Sequence, residues 1–192
     1  MPIEIQFVSI TIATLSAIGI LWYIIILYNG LVGLCNHVRK SWADIDVLLK
    51  QRADELPNLV EAVKGYMQYE RETLEKLTKA RTDFVQAQSV HDKARADSEI
   101  SSAVKTLFAV AENYPDLKAS QNFLRLQERI TGLENEIADR REFYNASVNT
   151  YNTRIQSFPD LIFAKLFRFK NWELFEVENS AMPSVGGPLN KL

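Results

Sequence analysis

Residues 5–36 read IQFVSITIATLSAIGILWYIIILYNGLVGLCN and carry no charged side chain. As a helix, the most apolar part, Ile5 to Tyr28, is about 36 Å long at ~1.5 Å per residue. A bilayer's hydrocarbon core needs only about 20 such residues. A helix satisfies its own backbone hydrogen bonds where water is absent. The stretch therefore predicts a membrane anchor carried by Phe7, Ile10, Leu15, Ile20, Trp22, Tyr23 and Leu27. Trp22, Tyr23 and Tyr28 gather at its C-terminal end, where aromatic rings favour the headgroup region. The alternative is a cleaved signal peptide. It fits poorly, because the segment before the run has Glu4 and no Lys or Arg, and the run exceeds an ordinary h-region.

Of the 192 residues, about 155 lie beyond the anchor, enough for one domain. They are rich in Leu, Ala, Glu, Lys, Gln and Arg, which favour helix. From Lys40 to Asn113 the only breakers are Pro57 and Gly65, too few for a sheet protein. The fold class expected is all-α: a single N-terminal transmembrane helix continuing into an antiparallel bundle of long helices. Net charge is −2, and no basic face points to nucleic acid. The single Cys35 excludes an intrachain disulfide and a cysteine zinc cluster, and packing as a small hydrophobe is the better role. Arg39, Lys40, Lys50 and Arg52 follow the anchor, so positive charge places the bundle in the cytoplasm. Three segments are expected: 1–35 as anchor, 36–160 as bundle, and 161–192 as an aromatic, basic segment with a loose tail.

Beyond the anchor, apolar residues recur from Val38 through Trp42, Ile45, Leu49, Leu56, Leu59, Val63 and Leu77 to Phe84. The spacing is mostly three or four, the mark of one buried helical stripe. It predicts a single rod with a kink at Pro57, where a hydrogen bond is lost. A turn is expected within Gln86–Ser98, with Asp97 or Ser98 capping the next helix. Asn113–Asp116 predicts a second turn, with Pro115 at the first helical position. A third helix is expected from Leu117 to Ser157, with its stripe on Phe123, Ile130, Ile137, Tyr144, Val148, Tyr151 and Ile155. Apolar-Pro-Asp/Asn-Leu recurs at residues 56, 114 and 158, and Tyr-Asn at 28, 144 and 151. Their unequal intervals fit shared local chemistry better than a duplicated unit. Leu161 to Phe175 crowds Phe163, Phe167, Phe169, Trp172 and Phe175 among Lys165, Arg168 and Lys170. Such a segment lies on an anionic membrane or packs on protein, and protein is the favoured partner.

Catalytic chemistry is not visible. The two histidines, His37 and His91, belong to no HExxH or ExxH pattern. Bundles that hold two metals need Glu-x-x-His pairs. Asp44 and Asp46 face different directions on a helix and look like partners for Lys40, Lys50 or Arg52. No glycine loop cradles a phosphate. The expectation is a non-enzyme with no catalytic residue, cofactor or metal.

An ordered series of motifs resembles the LemA family. It begins at Tyr28-Asn-Gly-Leu-Val32 and continues through Lys40-Ser-Trp-Ala-Asp-Ile-Asp-Val-Leu-Leu-Lys-Gln-Arg52, Leu56-Pro-Asn-Leu-Val60 and Val63-Lys-Gly-Tyr66. It goes on with Thr73–Arg81, Ala111–Ala119, Glu134–Arg141, the later Tyr-Asn pairs and Phe158-Pro159. Tyr69 departs from the His that often precedes Glu70. The resemblance implies a bacterial inner-membrane protein with one span and an antiparallel helical bundle, and implies no reaction.

The function expected is a membrane-anchored scaffold that self-associates and organises or shapes the inner membrane. Ser9, Ala13 and Ala17 form a small-residue column that permits close helix approach. Trp42, Ile45 and Leu49 offer a further apolar surface for a second copy. The partners expected are the lipid bilayer and other copies of the chain. The alternative is an adaptor that presents the bundle to another membrane protein, such as a protease.

Overall fold

The apolar run and the first packed rod form one uninterrupted helix, α1 (Ile3–Lys64). The computed structural model describes residues 3–67 and 69–176, with side chains from Phe7 onward. The loose tail expected at Ser180–Leu192 lies outside the described residues. After α1 come α2 (Arg71–Gln86), α3 (Val90–Ala111), the single turn α4 (Pro115–Lys118), α5 (Gln121–Gln156) and α6 (Asp160–Leu166). No strand occurs among the described residues.

Three boundaries differ from the sequence expectation. The first rod does not reach Phe84. The chain leaves helix at Gly65, where a glycine weakens helical propensity. Tyr66 and Met67 both donate their N–H to Val63 O, at 3.0 and 2.9 Å, and so close the last turn. Met67 is then buried, which fixes the reversal. The cap of α3 is Ser89, not Asp97 or Ser98. Its hydroxyl accepts from Asp92 N at 3.0 Å and donates to Asp92 Oδ2 at 2.7 Å, a close relative of the reciprocal capping box. The expected third helix is two, because the chain turns at Ala119–Ser120. Ala119 N donates to Pro115 O, and Ser120 N to Leu117 O, both at 3.0 Å. Leu117 is fully buried and seats the turn. Pro115 opens α4, the position its fixed φ suits.

Pro57 lies inside α1 without ending it. Having no N–H, it deprives Ala53 O, four residues earlier, of a donor. Arg81 Nε of α2 supplies one at 3.1 Å.

Of the aromatic segment, only α6 is helical. Its end is a Schellman turn: Arg168 N donates to Lys165 O at 3.3 Å and Phe169 N to Ala164 O at 2.9 Å. Arg168 holds φ 59, a left-handed conformation that costs a side-chain-bearing residue about 1–2 kcal/mol.

The chain forms two compact units. One takes the chain up to Leu48 together with Asn135–Glu173. In it α1 and α5 run antiparallel. The Trp42 ring lies 5.5 Å from Tyr144, and Ser41 Oγ is 3.3 Å from Ser147 Oγ. Leu31, Val38, Ile45, Tyr144, Val148 and Tyr151 are buried there. The other unit takes Leu49–Glu134 together with residues 174–176. Its core joins Leu56, Leu59 and Val63 to Leu77, Phe84, Ile100, Leu107 and Ile130. Phe108 meets Phe123 edge-on at 6.1 Å. Each large side chain fully buried contributes about 1.5–3 kcal/mol.

Candidate functional site

Three features stand apart from the general core: an exposed apolar helix, a latched C-terminal strap, and a helix junction built on a buried charge. Phe7, Ile10, Leu15, Ile20, Trp22 and Tyr23 are all exposed, which water alone would penalise. Leu27 departs from the expectation. It is buried, and it starts a stripe through Leu31, Cys35 and Val38 at helical spacing. The exposed run therefore ends at Ile26. From Phe7 to Ile26 it rises about 30 Å at ~1.5 Å per residue, the thickness of a bilayer's hydrocarbon core. This is the one helix among the described residues long and apolar enough to cross a membrane. Ser9, Ala13 and Ala17 are exposed along it. The expected second surface is spoken for: Ile45 and Leu49 are buried and Trp42 is half-buried. Those side chains pack inside their own chain and offer a second copy little apolar area.

The strap follows α6. Its contacts explain the recurring Tyr and Asn residues. Tyr28 packs edge-on against Phe167 at 4.9 Å and lies 6.2 Å from Phe169. Tyr151 OH donates to Lys170 O at 3.1 Å. Asn152 grips Trp172 twice: its Nδ2 donates to Trp172 O at 2.9 Å and its Oδ1 accepts from Trp172 N at 3.0 Å. Tyr144 OH donates to Glu173 O at 2.8 Å. Phe163, Phe169 and Trp172 are half-buried, Phe167 is exposed, and Phe175 is buried in the second unit. Burial pushes the Tyr144 hydroxyl up to about 12, and the charge of Glu173 adds to the effect. Burial also raises Tyr151, with Cys35 adding to the shift and Arg39 opposing it. Asp160, at the start of α6, is buried and pairs with Arg154 at 2.9 Å. The sequence showed the Tyr-Asn repeat. It did not show that the side chains reach a strap 19 to 29 residues away.

In the second unit Arg52 is 2% exposed. It is not a partner of Asp44 or Asp46. It pairs with the Asp97 carboxylate, donates to Asp97 O at 3.0 Å and to Ser101 Oγ at 2.9 Å. No local signal marks this pair, since its members stand 45 residues apart. At the α1–α2 junction of the same unit, a groove of about 780 Å³ is lined by Val60, Met67 and Leu74 with Lys64, Arg71 and Thr78.

The profile of the LemA family matches residues 41–186. Protein LemA of Metamycoplasma hominis is 28% identical over 179 residues, covering 86% of this chain and 80% of its own length. Magnetosome protein MamQ 2 of Paramagnetospirillum magneticum is 23% identical over 191 residues, covering 86% of this chain and 70% of its own. Magnetosome protein MamQ of Magnetospirillum gryphiswaldense is 21% identical over 200 residues, covering 91% and 72%.

Proposed function

The chain belongs to the LemA family, and from that premise and the geometry we propose that it is a non-enzymatic, single-span scaffold of a bacterial inner membrane. Its helical body stands on the cytoplasmic side, and copies associate to organise or shape the bilayer. The observation that carries the reading is the 30 Å of exposed apolar helix, about 20 residues, running without a break into a packed rod. A stiff joint of this kind transmits the tilt of the body to the span. Magnetosome proteins among the relatives are consistent with membrane work.

Orientation rests on Arg39, Lys40 and Lys50, which follow the span closely. Arg52 is withdrawn from that count by its buried pair with Asp97. Protease added to intact spheroplasts should leave the body uncut. Digestion from outside, with a cytoplasmic marker still protected, overturns the orientation. For association, Ser9, Ala13 and Ala17 are the surface left once Ile45 and Leu49 are packed away. Close approach of small residues in lipid gives van der Waals contact that larger side chains prevent. The detergent-solubilised chain should run as a multimer of itself, and Ala13→Ile should reduce it to a monomer. A wild-type monomer that co-purifies with another membrane protein would favour the second reading, an adaptor. The groove at Val60, Met67 and Leu74 supports that reading.

A further inference from the structure

The C-terminal segment has two faces, and its packing against α1 and α5 accounts for one. Phe163 and Phe169 are half-buried and Ala164 is buried. The other face is left in the open: Leu166 is 69% exposed, Ile162 55% and Phe167 46%. Ile162 and Leu166 stand four apart on α6, so they share a side of it. Lys165, Arg168 and Lys170 are exposed among them, and no acidic residue occurs from Leu161 to Trp172.

The contacts within this unit say where that face lies along α1. Trp42 meets Tyr144, Ser41 meets Ser147, and Tyr28 meets Phe167. Moving down α1 toward the exposed span therefore means moving up α5 in number. The chain beyond α5 arrives beside Tyr28, two residues after Ile26, where the exposed apolar run ends. The strap then withdraws, with Lys170 at Tyr151, Trp172 at Asn152 and Glu173 at Tyr144. The α6-to-strap reversal thus lies beside the end of the span. At that reversal the backbone puts an arginine in the left-handed conformation that a glycine would adopt at less cost. A strained residue held at a turn is a reason to ask what its side chain does there.

We propose that the reversal at residues 162–170 is a foot that rests on an anionic lipid surface beside the span, with Ile162, Leu166 and Phe167 dipping into the headgroup layer and Lys165, Arg168 and Lys170 facing lipid phosphates. The inference deepens the scaffold reading and rests on its membrane anchor. Apolar side chains flanked by cations are the composition of an interfacial contact, and the charge complements an anionic leaflet. One span leaves a rod free to tilt and to spin. A span plus a foot fixes both, so every copy meets the bilayer at one angle.

The test uses the full chain in vesicles of mixed phosphatidylcholine and phosphatidylglycerol, with Cys35→Ala removing the native thiol. A bimane label is placed by Ile18→Cys in the span, Leu166→Cys in the foot, or Phe143→Cys. Phe143 is exposed and adjoins Tyr144 at the far end of the same hairpin. Each label is compared in lipid without a nitroxide, with one near the headgroup to probe the foot, and with one deep in the acyl chains to probe the span. Labels at Ile18 and Leu166 should be quenched, and the label at Phe143 should not. Neutralising Lys165, Arg168 and Lys170 to Gln should lift the foot, lowering its seated-to-lifted ratio on the order of fivefold per charge. Quenching at Ile18 but not at Leu166 overturns the foot and leaves the anchor standing. Quenching at neither overturns both. A Leu166 label shielded from iodide yet unquenched by the lipid nitroxide means that protein covers the face, which also overturns the proposal. Leu166→Asp, read by a label at Ile162→Cys, guards against a labelling artefact. It should abolish quenching and leave the helix content unchanged, because Leu166 is exposed.

Discussion

The two units secure their helices with different chemistry. In one, neutral groups on α5, the Tyr144 and Tyr151 hydroxyls and the Asn152 amide, reach for the backbone of a strap. In the other, α1 and α3 are joined by a guanidinium and a carboxylate sealed from water. The Tyr144, Tyr151 and Asn152 bonds ask nothing of the side chains of Lys170, Trp172 and Glu173, which offer them only peptide groups. The strap can therefore carry cations and exposed aromatics for another purpose and still be held. The buried pair tolerates no such freedom. Each member needs the other, since a lone buried charge loses hydration and gains nothing. The difference predicts one junction that fails all at once and another that loosens step by step.

The largest effect should come from breaking the pair. Asp97→Ala leaves Arg52 buried with its countercharge gone, at a cost of about 3–5 kcal/mol. Denaturant titration of the detergent-solubilised protein measures it. Replacing both residues, Arg52→Met with Asp97→Leu, should recover most of the loss, because well-packed apolar residues often match a buried ion pair. A double variant as unstable as the single one would show that the site needs the charges for something other than each other.

Asn152→Ala is the corresponding cut in the latch. It strands the N–H and C=O of Trp172, a loss of about 1–3 kcal/mol. Because Tyr144 and Tyr151 still hold their carbonyls, α1 and α5 should remain paired. Limited proteolysis should then find a new cut near Trp172 while the helix content stays constant. A global loss of helix would mean that the latch, too, fails all at once.

Pro57 offers a middle case, a helix repaired from outside. Arg81→Leu should cost about 1–3 kcal/mol by leaving Ala53 O without its donor. With Pro57→Ala in place, the new N–H at position 57 should serve that carbonyl. Arg81→Leu should then cost measurably less. Equal costs in the two backgrounds would show that the Arg81 contact is incidental. Helix content in Pro57→Ala should hold or rise, since Ala is favoured over Pro by up to about 3 kcal/mol in a helix interior.

What the sequence made legible follows the range of the forces involved. The apolar run, the stripe on α5 and the turn at Pro115 are local patterns, and each is present in the structure. The break at Gly65 is not legible because the apolar spacing continues through it, and one glycine in a helix-rich stretch is a weak signal. The cap at Ser89 is legible only through Asp92 three residues on, a pairing with many equals in so polar a stretch. Leu27 reads as anchor because lipid and a protein core select the same side chains. Arg52 looked like a solvated neighbour of Asp44 and Asp46. Only the fold brings Asp97 to it, and no periodicity encodes that. The Tyr-Asn repeat lies between these cases. The pattern was visible, but its partners are backbone groups, which carry no sequence signature.

The smallest effect, and the finest probe of the latch, is Tyr144→Phe. The ring still packs against Trp42, and only the hydrogen bond to Glu173 O is lost, about 1 kcal/mol near neutral pH. The informative variable is pH. Burial holds the native Tyr144 hydroxyl protonated up to about 12, against an ordinary 10.0. Above pH 10 the unfolded chain releases this proton and the native chain keeps it. The native state then binds more protons, so stability falls as pH rises from 10 through about 12 and is unaffected below. Tyr144→Phe should flatten most of that slope. Tyr151, raised in the same direction, should leave a shallower remainder that Tyr151→Phe reduces to the part due to Tyr114, which burial and Glu70 raise outside the latch. Asp97→Ala should lower the whole curve and leave the alkaline slope in place. An undiminished slope after both tyrosine changes would mean that the alkaline transition begins outside the latch. The hydroxyls would then be contacts of the folded strap and not what makes it pH-sensitive.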